Sequence, residues 1–568
     1  MLKKLLAILS VIAAPALLVA QGQGGLDPAT ILKPLSDQWP TYSGDYTGRR
    51  YSALTQINQT TVKNLGLAWT TRGLTQGSGA TGRGGAAGGA GGQGGGGGRG
   101  AGGAGAPMIV AGEGSGEFNA GGAAQVRGAI LMVDGVLYAT SPDNLWAIDA
   151  RDGTVLWQFY WKTRGGTHTG HRGVAMWRNF LFMETHDDYL IKIDARTGKE
   201  IWHVEIAPFE QQYFSSMAPV VIRDHVIVGT GNDLDAPGYL QSYDPETGKR
   251  QWILYTVPMN AGDPGVETWP SLEAARHGGA MPWVPGVYDP ETNLYIFGTG
   301  NPTPAYTPAG RGTGVGLFAC SLVAVNVDTG KMAWYYQTSP RDMHDWDSAQ
   351  TPVLIDAVIA GRPRKLVSTA ARNGYFFTVD RLTGEPVASG KFGTQTNWAS
   401  GLDAGGRPIL EKTATIGGSL VNGSVTNWPP PTYSPDTGYF YVGENNNVSI
   451  RYLIDADPRG SMGLGGVQGG GGPGGGQSFI TAIDIKTAQI AWRHPVASGG
   501  SGMLTTAGRL LFAGDGAGNL MALDPANGTP LWHSRIGNVS NGPQTFMLDG
   551  KQYVLAAAGD QLFAFALY

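Results

Sequence analysis

Ten residues, Thr338 to Asp347, gather the side chains best suited to chemistry: Thr-Ser-Pro-Arg-Asp-Met-His-Asp-Trp-Asp. Asp342, Asp345 and Asp347 stand within six residues, interleaved with His344 and Trp346. Asp345 and Asp347 are two apart. In an extended segment they share a side, and in a tight turn both can face one hard cation or one acidic proton. Aspartates also favour turns, so the string taken alone reads equally as a solvated loop. A strand-like run ending Ala333-Trp334-Tyr335-Tyr336 delivers the segment.

The elements that must hold this segment announce themselves as a repeat. An apolar residue, Asp or Asn, a turn ending near Gly, and an apolar stretch closing on Trp recur along the chain. The pairs are Asp149/Trp157, Asp194/Trp202, Asp244/Trp252, Asn326/Trp334, Asp484/Trp492 and Asp524/Trp532, eight residues apart in all six. Val379-Asp380 to Gly384 is a copy without its Trp, and Trp69 reads as the end of an earlier one. A unit recurring at this length predicts an all-β fold, a β-propeller of eight blades with tryptophans docking between four-stranded sheets.

Composition agrees with many short strands and tight turns. The 568 residues include 90 Gly, 16 Trp and 22 Tyr, with only 15 % charged. A formal charge of −4 gives no electrostatic footprint for nucleic acid. Residues 1–20, with Lys3, Lys4 and an apolar run from Leu5 to Leu18, read as a secretory signal rather than a membrane span. The mature chain, 21–568, is expected to be one periplasmic propeller domain. Its single cysteine, Cys320, excludes an internal disulfide and reads as a small buried hydrophobe. The Gly-rich tracts 77–106 and 461–477 are expected to be flexible surface loops.

The repeats and several local strings together resemble the pyrroloquinoline quinone (PQQ)-dependent alcohol dehydrogenases, the quinoprotein methanol and ethanol dehydrogenases. The resemblance runs from Asp37-Gln38-Trp39-Pro40 to Gln561-Leu562-Phe563-Ala564. It implies PQQ and one metal ion, a lanthanide or Ca2+, with these assignments. Asn301, in Gly298-Thr299-Gly300-Asn301-Pro302, supplies an amide oxygen to the metal, as do the carboxylates of Asp345, Asp347 and Asp233. Trp283 forms the floor beneath the quinone, an indole suiting a planar tricyclic ligand. Asp345 takes the alcohol proton. Arg372, 27 residues after Asp345, donates to the quinone oxygens; Arg172 pairs with a cofactor carboxylate, and Asn427 adds a polar contact. Asp347 matches an extra carboxylate of the lanthanide-using branch and some other members.

Three departures from the family pattern stand out. Asp233, in Gly231-Asn232-Asp233-Leu234, takes the place of a Glu ligand and is shorter by a methylene. The adjacent cysteines that bridge above the quinone in many members are absent; Gly165 to His171 stand there, and the loop histidines His168 and His171 are expected to be exposed. Gly500 replaces a second cofactor-side Trp. The expected function is oxidation of an alcohol, with electrons passing to a separate acceptor such as a c-type cytochrome. Alternatives from other classes are a non-catalytic propeller scaffold and a soluble sugar or polyol dehydrogenase.

Overall fold

The computed structural model describes residues 25–77, 108–118, 121–166, 168, 170–308, 310–348, 350–455 and 466–568. The signal-like segment and the 77–106 tract from residue 78 onward lie outside these residues.

The chain is built of short strands, and most pair with the next in sequence. Leu131–Val133, Val136–Ser141, Asn144–Asp149 and Val155–Tyr160 form one antiparallel run. The same up-and-down order repeats in the 175–205, 220–255, 287–337, 353–391 and 504–535 sheets. A further sheet takes Thr432–Ser434 and Tyr439–Glu444, then Ser478–Asp484 and Gln489–Val496. The last joins Gln544–Leu548, Lys551–Ala558 and Gln561–Leu567 to a strand from the other end of the chain, Leu65–Thr70.

Inner strands are buried on both faces, as in Val136–Ser141, because neighbouring sheets cover both sides. Outer strands such as Glu200–Glu205 and Arg250–Tyr255 stay largely in contact with water. The repeat residues explain how sheets meet. Each Asp turns its hairpin by accepting main-chain N–H groups, as Asp194 does from Arg196 and Thr197. Each Trp then reaches into the following sheet. The indole N–H groups of Trp69, Trp157, Trp202, Trp252, Trp334, Trp492 and Trp532 donate to the carbonyls of Ala150, Ala195, Glu246, Val327, Arg381, Pro525 and Leu65 at 2.8–3.2 Å. The ring lies on the turn glycine of the next unit. A Cβ on Gly198 would stand 2.8 Å from Trp157, and its φ of +70° also suits glycine.

The 461–477 tract is not a loop throughout. Gly466–Gly475 is a strand pairing antiparallel with Asn447–Asp455, and Ser419–Asn422 pairs on the other edge. Sheet bonds are made by the backbone. A glycine run therefore pairs where a long partner such as Val448-Ser449-Ile450-Arg451-Tyr452 holds it. This three-stranded insertion lies in the 419–475 interval of the 432–496 sheet's surroundings, between the strands of the 353–391 sheet and Ser478–Asp484.

Candidate active site

The sequence-predicted residues come together at connections between strands. The strand Leu294–Gly298 ends at Thr299-Gly300-Asn301, whose backbone locks onto the 280–281 segment through Gly300 N–Met281 O (2.8 Å) and Ala280 N–Asn301 O (2.9 Å). Trp283 follows on that second segment. After the strand Met332–Gln337, the Asp342–Asp347 turn folds back so that Ser348 N donates to Thr299 O at 3.0 Å. Arg372 sits in the turn after Arg362–Ala370.

Asp342 organises the turn. Its buried carboxylate accepts the main-chain N–H groups of His344, Asp345 and Trp346 at 3.0–3.1 Å, which satisfies donors that the tight turn leaves over. Burial lifts its pKa to about 6 even so. Asp345 is held at φ +63°, the left-handed conformation that Asp tolerates better than most residues. His344 stacks on Trp346 with centroids 3.9 Å apart, and Trp346 packs on Trp398, fixing the back of the turn.

Asp347 is the hub. Its Oδ1 accepts Asn301 N–H at 2.6 Å, and its Oδ2 accepts Trp283 Nε1–H at 3.0 Å and Arg372 Nη1–H at 2.7 Å. Gly300 permits this approach: a Cβ there would lie 3.3 Å from Asp347 Oδ1 and 3.0 Å from Met281 O. Arg372 also reaches Asp345 (3.4 Å) and donates to Ser424 Oγ (3.3 Å). Tyr306 Oη donates to Asp345 Oδ2 at 3.3 Å. The Asn301 amide nitrogen donates to Pro302 O, and its oxygen accepts nothing from the described residues.

Electrostatics follow from this crowding. Burial pushes the Asp345 pKa well above the usual carboxylate range; Arg372 opposes this, while Asp347, Asp233 and Asp342 add to it. Asp233, half-buried, is raised to about 7 by burial and by Asp347, with Arg372 again opposing. Burial disfavours the charge on Arg372, but Asp345 and Asp347 outweigh it and hold the guanidinium charged. Several carboxylates around a single guanidinium thus call for further positive charge. The three aspartates do not close to ligating distance of one another. Among the described residues, only Glu113, Glu200 and His203 form a His/Cys/Asp/Glu group that tight, on the protein's periphery.

Arg172 lies over the faces of Trp283 (4.4 Å) and Trp428 (5.1 Å), donates Nη1–H to Ser216 O at 2.9 Å, and leaves a buried Nε without a hydrogen-bond partner. Asn427 adjoins Trp428 and is half-buried, its Oδ1 accepting the Trp428 N–H. One correction concerns the upper loop. His168 is exposed as expected and stacks on Phe214, whereas His171 is buried, with Nδ1 3.0 Å from Thr140 Oγ1. Its Nδ1 also accepts the Gly173 N–H at 3.2 Å. Sequence reasoning missed Trp428, Tyr306 and Ser424. Trp428 was visible as an aromatic outside the Asp-to-Trp spacing; the other two carry no signal in sequence.

The arrangement is an all-β, propeller-type frame holding a carboxylate–arginine–indole cluster that can bind a planar acidic ligand and a hard cation. The family model described as "Glucose/ethanol/alcohol dehydrogenase, beta-propeller domain" matches residues 39–88 and 114–390, and one for the outer membrane protein assembly factor BamB matches 476–567. The quinohemoprotein alcohol dehydrogenase of Comamonas testosteroni is 33 % identical over 92 % of this chain and 72 % of its own. The quinoprotein alcohol dehydrogenase PedH of Pseudomonas putida is 34 % identical over 76 % of this chain and 78 % of its own. The solved Comamonas testosteroni enzyme superposes with a TM-score of 0.79 at 29 % identity, covering 95 % of this chain and 82 % of that one. A europium-containing methanol dehydrogenase gives 0.75 at 25 % identity, covering 94 % and 98 %. The chain belongs to the PQQ-dependent alcohol dehydrogenase family.

The residues fit the group that membership implies. The orphaned Nε of buried Arg172 beside two indoles suits an acidic aromatic ligand, and the oxygen donors of Asn301, Asp233, Asp345 and Asp347 suit a hard cation. No helix among the described residues is long and apolar enough to cross a membrane.

Proposed function

We propose that residues 21–568 form a single eight-bladed propeller that works in the periplasm as a PQQ- and metal-dependent dehydrogenase, oxidising an alcohol to an aldehyde or ketone. The sheet order and the indole contacts between successive sheets support the eight blades and the tryptophan docking. The observation that carries the function is the hydrogen-bonded union of Trp283, Asn301, Asp345, Asp347 and Arg372 from four separate segments.

The bound group supplies a hydride acceptor, with the cation as Lewis acid. The protein does the rest. Trp283 and Arg172 hold the ligand's plane and an acidic edge, with Asn427 beside them. Asn301, Asp233, Asp345 and Asp347 hold the cation, and Asp347 fits a trivalent ion because it adds negative charge. Added positive charge at this cluster opposes the burial that keeps Asp345 protonated, so Asp345 becomes a carboxylate able to take the hydroxyl proton. Arg372 keeps both aspartates in place and stabilises negative charge as it develops. Electrons leave to a separate acceptor such as a c-type cytochrome.

Reconstitution with PQQ and either Ca2+ or La3+, followed by quinone absorbance and dye reduction on a short alcohol panel, tests this reading. Alcohol-dependent dye reduction is expected with at least one cation. Absence of quinone binding with both would favour a non-catalytic scaffold, a reading that draws support from the BamB family match at the C-terminal end.

A further inference from the structure

A cavity of about 160 Å³ opens beside Asp345. Tyr306, His344 and Arg372 line one side, and the inserted three-stranded sheet covers the other, contributing Val421, Arg451 and Val467. The alternation of strand side chains places these three on one face. Val421 pairs with Ser449, two residues from Arg451, and Val467 pairs with Leu453, two residues the other way.

Arg451 is the informative member. Its strand partner is Gly469, and the guanidinium lies alongside that residue, with Nη1 3.5 Å from where a Cβ would stand. Its charge acts on both Tyr306 and His344 across the cavity. The two guanidinium groups of the cavity differ in their commitments. Arg372 is bound to Asp345, Asp347 and Ser424, whereas Arg451 enters no ion pair among the described residues. A cation in a small cavity, opposite the proposed proton acceptor, is a poor lining for a plain alkanol, which offers nothing to replace the water around a guanidinium. It suits a substrate with a hydroxyl at one end and an anion at the other. The space is large enough for a short chain.

Resting on the dehydrogenase reading above, we infer that the substrate is a short hydroxy acid, with its hydroxyl at Asp345 and its carboxylate on Arg451. In the reaction the hydroxyl proton passes to Asp345, the carbon-bound hydrogen leaves with its electron pair to the quinone cofactor, and the C–O bond becomes a carbonyl. The carboxylate is unchanged. Arg451 is the specificity-determining residue.

The test compares 4-hydroxybutanoate with 1-butanol, equal in carbon count and differing in the distal charge, on the reconstituted holoenzyme. The acid is expected to have the higher kcat/KM, and Arg451→Gln is expected to lower the acid-to-alcohol ratio by about tenfold, mostly through KM. A wild-type preference for 1-butanol, or a ratio unmoved in Arg451→Gln, overturns the inference while leaving the dehydrogenase reading intact. Calorimetric titration of the full chain with 4-hydroxybutanoate reads the same point without turnover. Binding that is lost in Arg451→Gln supports the anion site even if no alcohol is oxidised, and absent or equal binding in the two proteins overturns it.

Discussion

Two kinds of seam join the sheets. Seven are clasped by an indole that donates to a carbonyl of the next sheet and lies on its turn. The seam between the 353–391 and 432–496 sheets has Ala388 where the repeat places Trp. There the sheets pack through apolar side chains such as Phe376 on Phe440, and a buried ion pair stands in addition: Glu444 binds Arg493 at 2.8 Å and accepts from Thr394, Thr481 and Asn446, while Arg493 also donates to Phe392 O across the seam. That seam adjoins Arg372, Ser424 and the inserted sheet over Asp345. An indole clasp is a large apolar contact with one bond and is indifferent to pH. The Glu444–Arg493 pair adds buried charge to a seam that has no indole donor, next to the site.

The comparison can be broken most severely at the site itself. Asp345→Ala is expected to abolish alcohol turnover, by about a thousandfold or more. Activity persisting in that variant removes the proposed base. On the frame, Trp157→Ala should cost about 3–5 kcal/mol in denaturant unfolding, as a fully buried Trp that loses packing does. A loss below about 1 kcal/mol would show that the indole clasps do not bear the frame.

The ionic seam makes a different demand. Burial by itself would raise the Glu444 pKa, but Arg493, Thr481, Asn446 and Thr394 outweigh it and hold it below the ordinary 4.5. A depressed folded-state pKa stabilises above the unfolded value and is lost as pH falls through the folded one. Glu444→Gln should therefore lose about 2–3 kcal/mol at pH 7, and the gap to the native protein should shrink on acidification below about 4.5. A gap constant from pH 7 to pH 3 would contradict this. The smallest expected effect is a ratio. Asp347→Ala should reduce La3+-supported activity about tenfold more than Ca2+-supported activity, since a trivalent ion relies more on the extra carboxylate. Equal losses with the two ions would refute it.

The legible parts of this molecule are those in which side chains repeat or cluster. The Asp-to-Trp spacing foretold the hairpin turns and indole contacts, because turn and ring are set within one hairpin. The 338–347 string, Asn301, Trp283 and Arg372 were each readable by type, and the structure unites them. What stayed hidden depends on the backbone or on distant partners. The Gly466–Gly475 strand has no side-chain pattern to read. His171 was expected in solvent because its burial comes from Thr140, some thirty residues away. Asp342 looked like a third acid of the site, yet its carboxylate serves the turn's own N–H groups. The indole of Trp428, next to Asn427, is what meets Arg172.

The sheet that joins Leu65–Thr70 to Gln561–Leu567 pairs Leu65 with Leu567, about 500 residues apart. Folding cannot close the ring until the last strand has left the ribosome. Until then the sheets at the two ends of the series each keep one uncovered face. That places a slow, long-range step at the end of folding, where loop-closure entropy is greatest. Once formed, this sheet ties the two ends of the chain together, so opening it costs a long-range contact that re-forms slowly, which favours a high kinetic barrier to unfolding.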